Sequence, residues 1–183
     1  MVAGLALVTA QYGILTWLML YLRDHAHIAL IHGAAFLFLV QFVGVAGRIG
    51  LAAWSDRAPD ARFRLLTLSM IAVAAGIVVL MLIPARTPEP ALALLAAWLG
   101  FFGLGWYGPW VAYLAEEAPP DKTGLTIGAA MAINQFGIMA APPLLGLTHD
   151  VSGGYTALWT CIVVALGVAY GATTRTRKPR DSH

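Results

Sequence analysis

Seven side chains able to form hydrogen bonds stand near the middle of long apolar runs: Gln11 and Tyr12, Gln41, Trp106 and Tyr107, and Asn134 and Gln135. An amide can donate and accept, a phenol can do either, and an indole can only donate. Hydrocarbon offers such groups no partner, so at mid-depth in a membrane they must face protein or a water-filled path. Two readings fit. They could line a cavity and hold a polar solute, or they could bond helix to helix as structural glue. The runs predict one depth for all four groups, and this favours a cavity with all seven residues as substrate-binding candidates. The runs holding Val73-Ala74-Ala75 and Val163-Val164-Ala165 at their centres read as lipid-facing supports.

Other chemistries lack their residues. An intramembrane protease needs a buried Ser with a His, or paired aspartates, and the mid-run positions around Ser69 supply neither. His32 falls near the end of a run, and His149-Asp150 falls in a surface loop. Asp, His or Met clusters for a metal are missing at mid-depth, and Cys161 is the single cysteine. The chain is therefore expected to be no enzyme and to use no metal or cofactor. No carboxylate or lysine stands at mid-depth, so no ion-coupling group is evident.

The elements that must position these residues are membrane helices. The chain has 183 residues, 60% hydrophobic and 11% charged; a soluble domain carries about a quarter charged residues. Apolar runs predict helices at about 2–22, 29–54, 65–84, 91–115, 124–147 and 156–173. Each is long enough at about 1.5 Å per residue to cross roughly 30 Å of hydrocarbon. The first run has no basic leader and is too long for a signal peptide. Residues 1–174 thus form one six-helix, all-α membrane domain, and 175–183 a basic tail. Glycine and proline concentrate in the fourth run, through Gly100, Gly103, Gly105, Gly108 and Pro109, and in the fifth, through Gly128, Gly137, Pro142, Pro143 and Gly146. Such residues permit bending or close packing.

Basic residues fix an orientation. Arg48, Arg57, Arg62, Arg64, Lys122, Arg175, Arg177, Lys178 and Arg180 fall on one side, and only Arg23 and Arg86 on the other. The positive-inside rule makes the richer side cytoplasmic, with both termini there. A helix entering from the cytoplasm usually follows basic residues, yet Met1 leads straight into Val2-Ala3-Gly4. Either later loops set the topology or natural upstream sequence is missing. Arg48, the deepest charge, is expected to pair with a carboxylate near the inner surface.

The segment Gly47-Arg48-Ile49-Gly50-Leu51-Ala52-Ala53-Trp54-Ser55-Asp56-Arg57, with Arg62 and Arg64 beyond it, resembles the loop motif of the major facilitator superfamily. Ala52 and Trp54 stand where that motif usually has Gly and Leu, a looseness typical of the C-terminal half. Ala115-Glu116-Glu117-Ala118-Pro119-Pro120, Gly124, Gly128, Pro142-Pro143-x-x-Gly146 and Gly153-Gly154-Tyr155 resemble the stretch from helix ten to helix twelve of such proteins.

The resemblance implies half of a twelve-helix fold with a 3+3 inverted repeat, in the plasma (inner) membrane. It implies transport of a small polar or anionic solute by alternating access, with the lipid bilayer, the solute and an N-terminal six-helix half or a second copy as partners. It also implies a cytoplasmic charge cluster that latches one state, drawn from Arg48, Asp56, Arg57, Arg62, Arg64, Glu116 and Glu117. A truncated remnant, or a split-transporter subunit needing a second six-helix chain, is the alternative.

Overall fold

A computed structural model describes residues 1–57 and 61–176, and every regular element in them is helical. The order is α1 (Val2–Ala26), α2 (Leu30–Ser55), α3 (Ala61–Leu82), α4 (Glu89–Gly105), α5 (Tyr107–Glu117), α6 (Thr123–Ser152) and α7 (Tyr155–Thr176). Helices α4 and α5 are two pieces of one span, Glu89–Glu117, so the described residues hold six spans long and apolar enough to cross a membrane. The all-α, six-span expectation is met. Of the basic tail, Arg175 closes the last turn of α7. Arg177, Lys178 and Arg180 lie outside the described residues.

Local chemistry sets the ends. α1 stops at His27, which takes a left-handed conformation with its N–H on the Leu22 carbonyl. α6 stops at Gly153, also left-handed (φ 69°), with its N–H on the His149 carbonyl; glycine adopts that conformation without steric cost. Pro88 precedes α4, and Pro90 and Glu89 occupy its first turn. A proline there loses no helix hydrogen bond, and a carboxylate there complements the helix dipole.

The fourth span breaks at Trp106, three residues before Pro109. Proline has no N–H for the carbonyl four residues back, here Gly105, and its ring crowds that carbonyl. Pro142 and Pro143, by contrast, lie inside a continuous α6.

Packing rests on small residues. α2 and α4 make the most intimate pair. A Cβ at Gly47 would fall on the Phe101 carbonyl oxygen, and one at Gly100 on the Val40 carbonyl oxygen. Only glycine allows backbones this close. α1 is the hub, touching α2, α3, α4, α6 and α7. A Cβ at Gly4 would lie 2.5 Å from the Trp110 ring, and one at Gly13 2.6 Å from Ile162. α2 and α6 are the least covered, leaving apolar side chains such as Phe38, Phe42, Phe136 and Met139 exposed.

Candidate functional site: a polar ladder and an ion-pair cluster

The seven mid-run polar residues do not share one depth. Trp106 Nε1 donates to Gln11 Oε1 at 3.1 Å, so these two are level. A Cβ at Gly100 would meet Val40, which sets Gln41 level with Gly100. Six residues of helix, about 9 Å, separate Gly100 from Trp106 toward the Ala26 end of α1. α6 runs parallel to α1: Gly137 faces Leu5 and Val8, and Leu145 meets Gly13. Asn134 therefore lies about two turns, roughly 11 Å, on the other side of Gln11. The expected single layer is corrected to a ladder of three rungs. Apolar run centres fixed its rungs poorly because each helix is offset along its own axis by the glycine contacts it makes.

Their surroundings differ as well. Trp106 is fully buried and meets Tyr107 and Trp110 edge-on, at 5.7 and 5.5 Å between ring centroids. Its one donor is spent on Gln11, so it is a scaffold for the amide more than a surface for a solute. Tyr107, Gln41 and Gln135 are exposed, and Gln11 and Tyr12 half-buried. Asn134 is buried, and neither its side-chain nitrogen nor its oxygen has a partner among the described residues. Leu5, Thr9, Tyr12 and Thr16 form an open stripe along α1 at helical spacing. Beside it, Leu5 and Thr9 of α1 and Phe136, Ala140 and Leu144 of α6 line a groove of about 350 Å³. Thr9 and Thr16 escaped the sequence reading, although their spacing from Tyr12, three and four residues, puts them on its face.

Arg48 departs most from expectation. It pairs with no carboxylate among the described residues; its Nε donates to the Leu104 carbonyl at 3.2 Å. Leu104 stands in the last turn of α4, where carbonyls lack intrahelical donors. The break at Trp106 therefore exposes an acceptor, and Arg48 reaches across from α2 to cap it.

The charge cluster at the α2–α3 end is smaller than expected. Arg62 Nη1 donates to Glu116 Oε1 at 2.6 Å, and Arg62 Nη2 to Asp56 Oδ1 at 3.3 Å. The Arg62 and Glu116 side chains are 25% and 27% exposed and that of Asp56 is 70% exposed. One guanidinium thus joins the end of α2, the start of α3 and the end of α5. Arg57, Arg64 and Glu117 are exposed and make no ion pair among the described residues, and Arg48 lies eight residues from Asp56, well inside the membrane.

No group of three or more His, Cys, Asp or Glu that could hold a metal occurs among the described residues. The opposite end carries a separate polar set, in which Tyr155 Oη donates to Asp24 at 2.6 Å and the His149 ring stacks on Trp17.

No curated protein matches the chain. The sequence family described as the Major Facilitator Superfamily, whose members are transporters rather than enzymes, matches residues 1–142. That is 142 of 183 residues, and it takes in the first four spans, the Arg62 cluster and most of α6. With six apolar spans around it, this match makes the chain a membrane-embedded transporter protein that belongs to the Major Facilitator Superfamily.

Proposed function

We propose that this six-span domain is the C-terminal half of a secondary transporter, moving a small polar or anionic solute by alternating access. The observation that carries the reading is the polar ladder: Gln41, then Gln11, Tyr12 and Tyr107, lie at successive depths, partly open, on helices that pack closely elsewhere. Side chains of this kind along an axis across the membrane offer a solute a sequence of hydrogen bonds. Trp106 holds Gln11 in place, and Asn134 and Gln135 extend the ladder toward the other end.

The Asp56–Arg62–Glu116 cluster serves as the latch. It joins three helix ends at the surface that the positive-inside rule makes cytoplasmic, and pairs of this kind can exchange between two arrangements. Arg57, Arg64 and Glu117 are free to join it when the helices shift. The exposed apolar faces of α2 and α6 suit a second six-helix body, either an N-terminal half or a second copy. In this reading the domain sits in the plasma (inner) membrane with both termini in the cytoplasm.

Sidedness of access tests the mechanism. A cysteine at Tyr12, in a Cys161→Ala background, is treated with a membrane-impermeant thiol reagent from each side of sealed vesicles. Alternating access requires reaction from both sides. Reaction from one side only, or from neither, would leave a static or closed protein.

A further inference from the structure

The middle of the ladder carries a positive charge that no carboxylate among the described residues balances. Arg48 is rooted on α2 seven residues before its end at Ser55, but its guanidinium reaches Leu104. Gly103, next to Leu104, faces Ile14, where a Cβ would lie 3.3 Å from Ile14 Cδ1. Ile14 has twelve residues of α1 on either side. The guanidinium is therefore held near half-depth. Every described Asp and Glu lies at or near a helix end or in a loop: Asp24, Asp56, Glu89, Glu116, Glu117, Asp121 and Asp150.

The charge is also available. Arg48 is exposed, and only one of its N–H groups, that on Nε, has a partner among the described residues. A guanidinium carries five N–H donors in a planar fork, so both terminal nitrogens are unspent. An exposed guanidinium at this depth cannot face hydrocarbon without a large cost; it must face water or a counter-charge. Gln41 lies seven residues back along α2, two helical turns and hence on the same face. Gln11 lies about one helical turn from Ile14, and Tyr107 three residues beyond Leu104.

We infer that the solute is an oxyanion, bearing a carboxylate or phosphoryl group, and that Arg48 binds it at half-depth. The inference rests on the transporter reading above and narrows its solute class. The Arg fork matches the paired oxygens of either group bidentately. The bond from Nε to the Leu104 carbonyl fixes the plane of the fork and leaves its open side for the anion. Gln11, Tyr12, Tyr107 and Gln41 supply the neutral hydrogen bonds that orient the rest of the solute. The alternative role is a structural cap for Leu104 alone.

Charge selectivity of a thiol on the open stripe of α1, two residues from Ile14, separates the two. Thr16→Cys in the Cys161→Ala background is reacted with an anionic and a cationic methanethiosulfonate of similar size. With Arg48 present, the ratio of anionic to cationic rates should exceed that of the Arg48→Gln variant by about tenfold, and Arg48→Lys should retain most of it. Concentrated salt should erase the preference in the Arg48 protein itself, a readout that needs no second variant to fold. Equal rates at low salt overturn the inference. Succinate and inorganic phosphate are then added as competitors. Slowing by succinate assigns a carboxylate and slowing by phosphate a phosphoryl group, in each case only with Arg48 present; slowing by neither overturns the anion class. A Thr16→Cys thiol that reacts with neither reagent overturns the water-filled path, and with it the transporter reading.

Discussion

The indole N–H of Trp106 donates to the side-chain oxygen of Gln11 at 3.1 Å, joining α1 to the break in the fourth span. Trp106 is fully buried, so its indole N–H finds no water when the bond is lost. Trp106→Phe keeps an aromatic ring and removes the donor, and Gln11→Leu removes the acceptor. Side-chain hydrogen bonds between membrane helices are worth about 1 kcal/mol. Each variant should lose at least that much, the larger loss falling on Trp106→Phe because the smaller ring also leaves a void. A double-mutant cycle by reversible unfolding in mixed micelles should give a coupling of about 1 kcal/mol. A coupling near zero would make the contact incidental.

Arg62 treats its two carboxylates unequally. Its bond to Glu116 is 2.6 Å and three-quarters shielded, whereas that to Asp56 is 3.3 Å and ends on a carboxylate 70% exposed. Exposed ion pairs contribute about 0–1 kcal/mol, and shielded charged hydrogen bonds roughly 1.5–3 kcal/mol. Glu116→Gln should therefore lower the unfolding midpoint clearly and Asp56→Asn only slightly. The order of the two midpoints is the check, and its reversal would place the latch on α2 instead of α5.

The crossing of α2 and α4 is set by backbone contact. A Cβ at Gly47 would overlap the Phe101 carbonyl oxygen, which has no side chain to move aside, while Gly167 and Gly171 of α7 have nothing within 4 Å of the same position. Gly47→Ala should destabilise by about 2 kcal/mol or more, as overpacking does. Gly171→Ala should stay within about 0.5 kcal/mol of neutral. Matched unfolding curves of the two variants test the contrast. A neutral Gly47→Ala would mean that the two helices can part at no cost.

Spans were legible in the sequence because length and apolarity alone decide whether a helix can cross hydrocarbon. The pairing of Arg62 with Asp56 and Glu116 was legible as a set, since opposite charges at three helix ends on one side of the membrane must find each other or water. Registers between spans were not legible. Asn134 and Gln41 each sit at the middle of their own run, yet Gly137 on Leu5 and Gly100 on Val40 slide those runs apart. The place of Arg48 was hidden for a related reason. Its destination depends on the break at Trp106 and on how far α2 is displaced along α4, and no pattern within either segment encodes both. Thr9 and Thr16 could have been found from helical spacing around Tyr12.

Exposure alone does not separate a solute path from a lipid face, and Gln41 and Val168 show why the distinction can be measured. Both are exposed, Val168 at 65%, one on α2 on the face shared with Arg48 and the other on α7. In lipid a thiol stays protonated and meets no water-soluble reagent, whereas on a wet helix face it ionises and reacts. In the Cys161→Ala background, Gln41→Cys should therefore be modified at least tenfold faster than Val168→Cys, and Ile71→Cys on α3 should behave like Val168→Cys. Denatured samples, in which all three must react alike, calibrate the rates. If Gln41→Cys is as slow as the other two, the face carrying Gln41 and Arg48 is dry, and the polar side chains along it bond helix to helix in place of binding a solute. If all three are fast, water reaches the whole circumference, and the helix faces assigned to lipid on α3 and α7 are wrong.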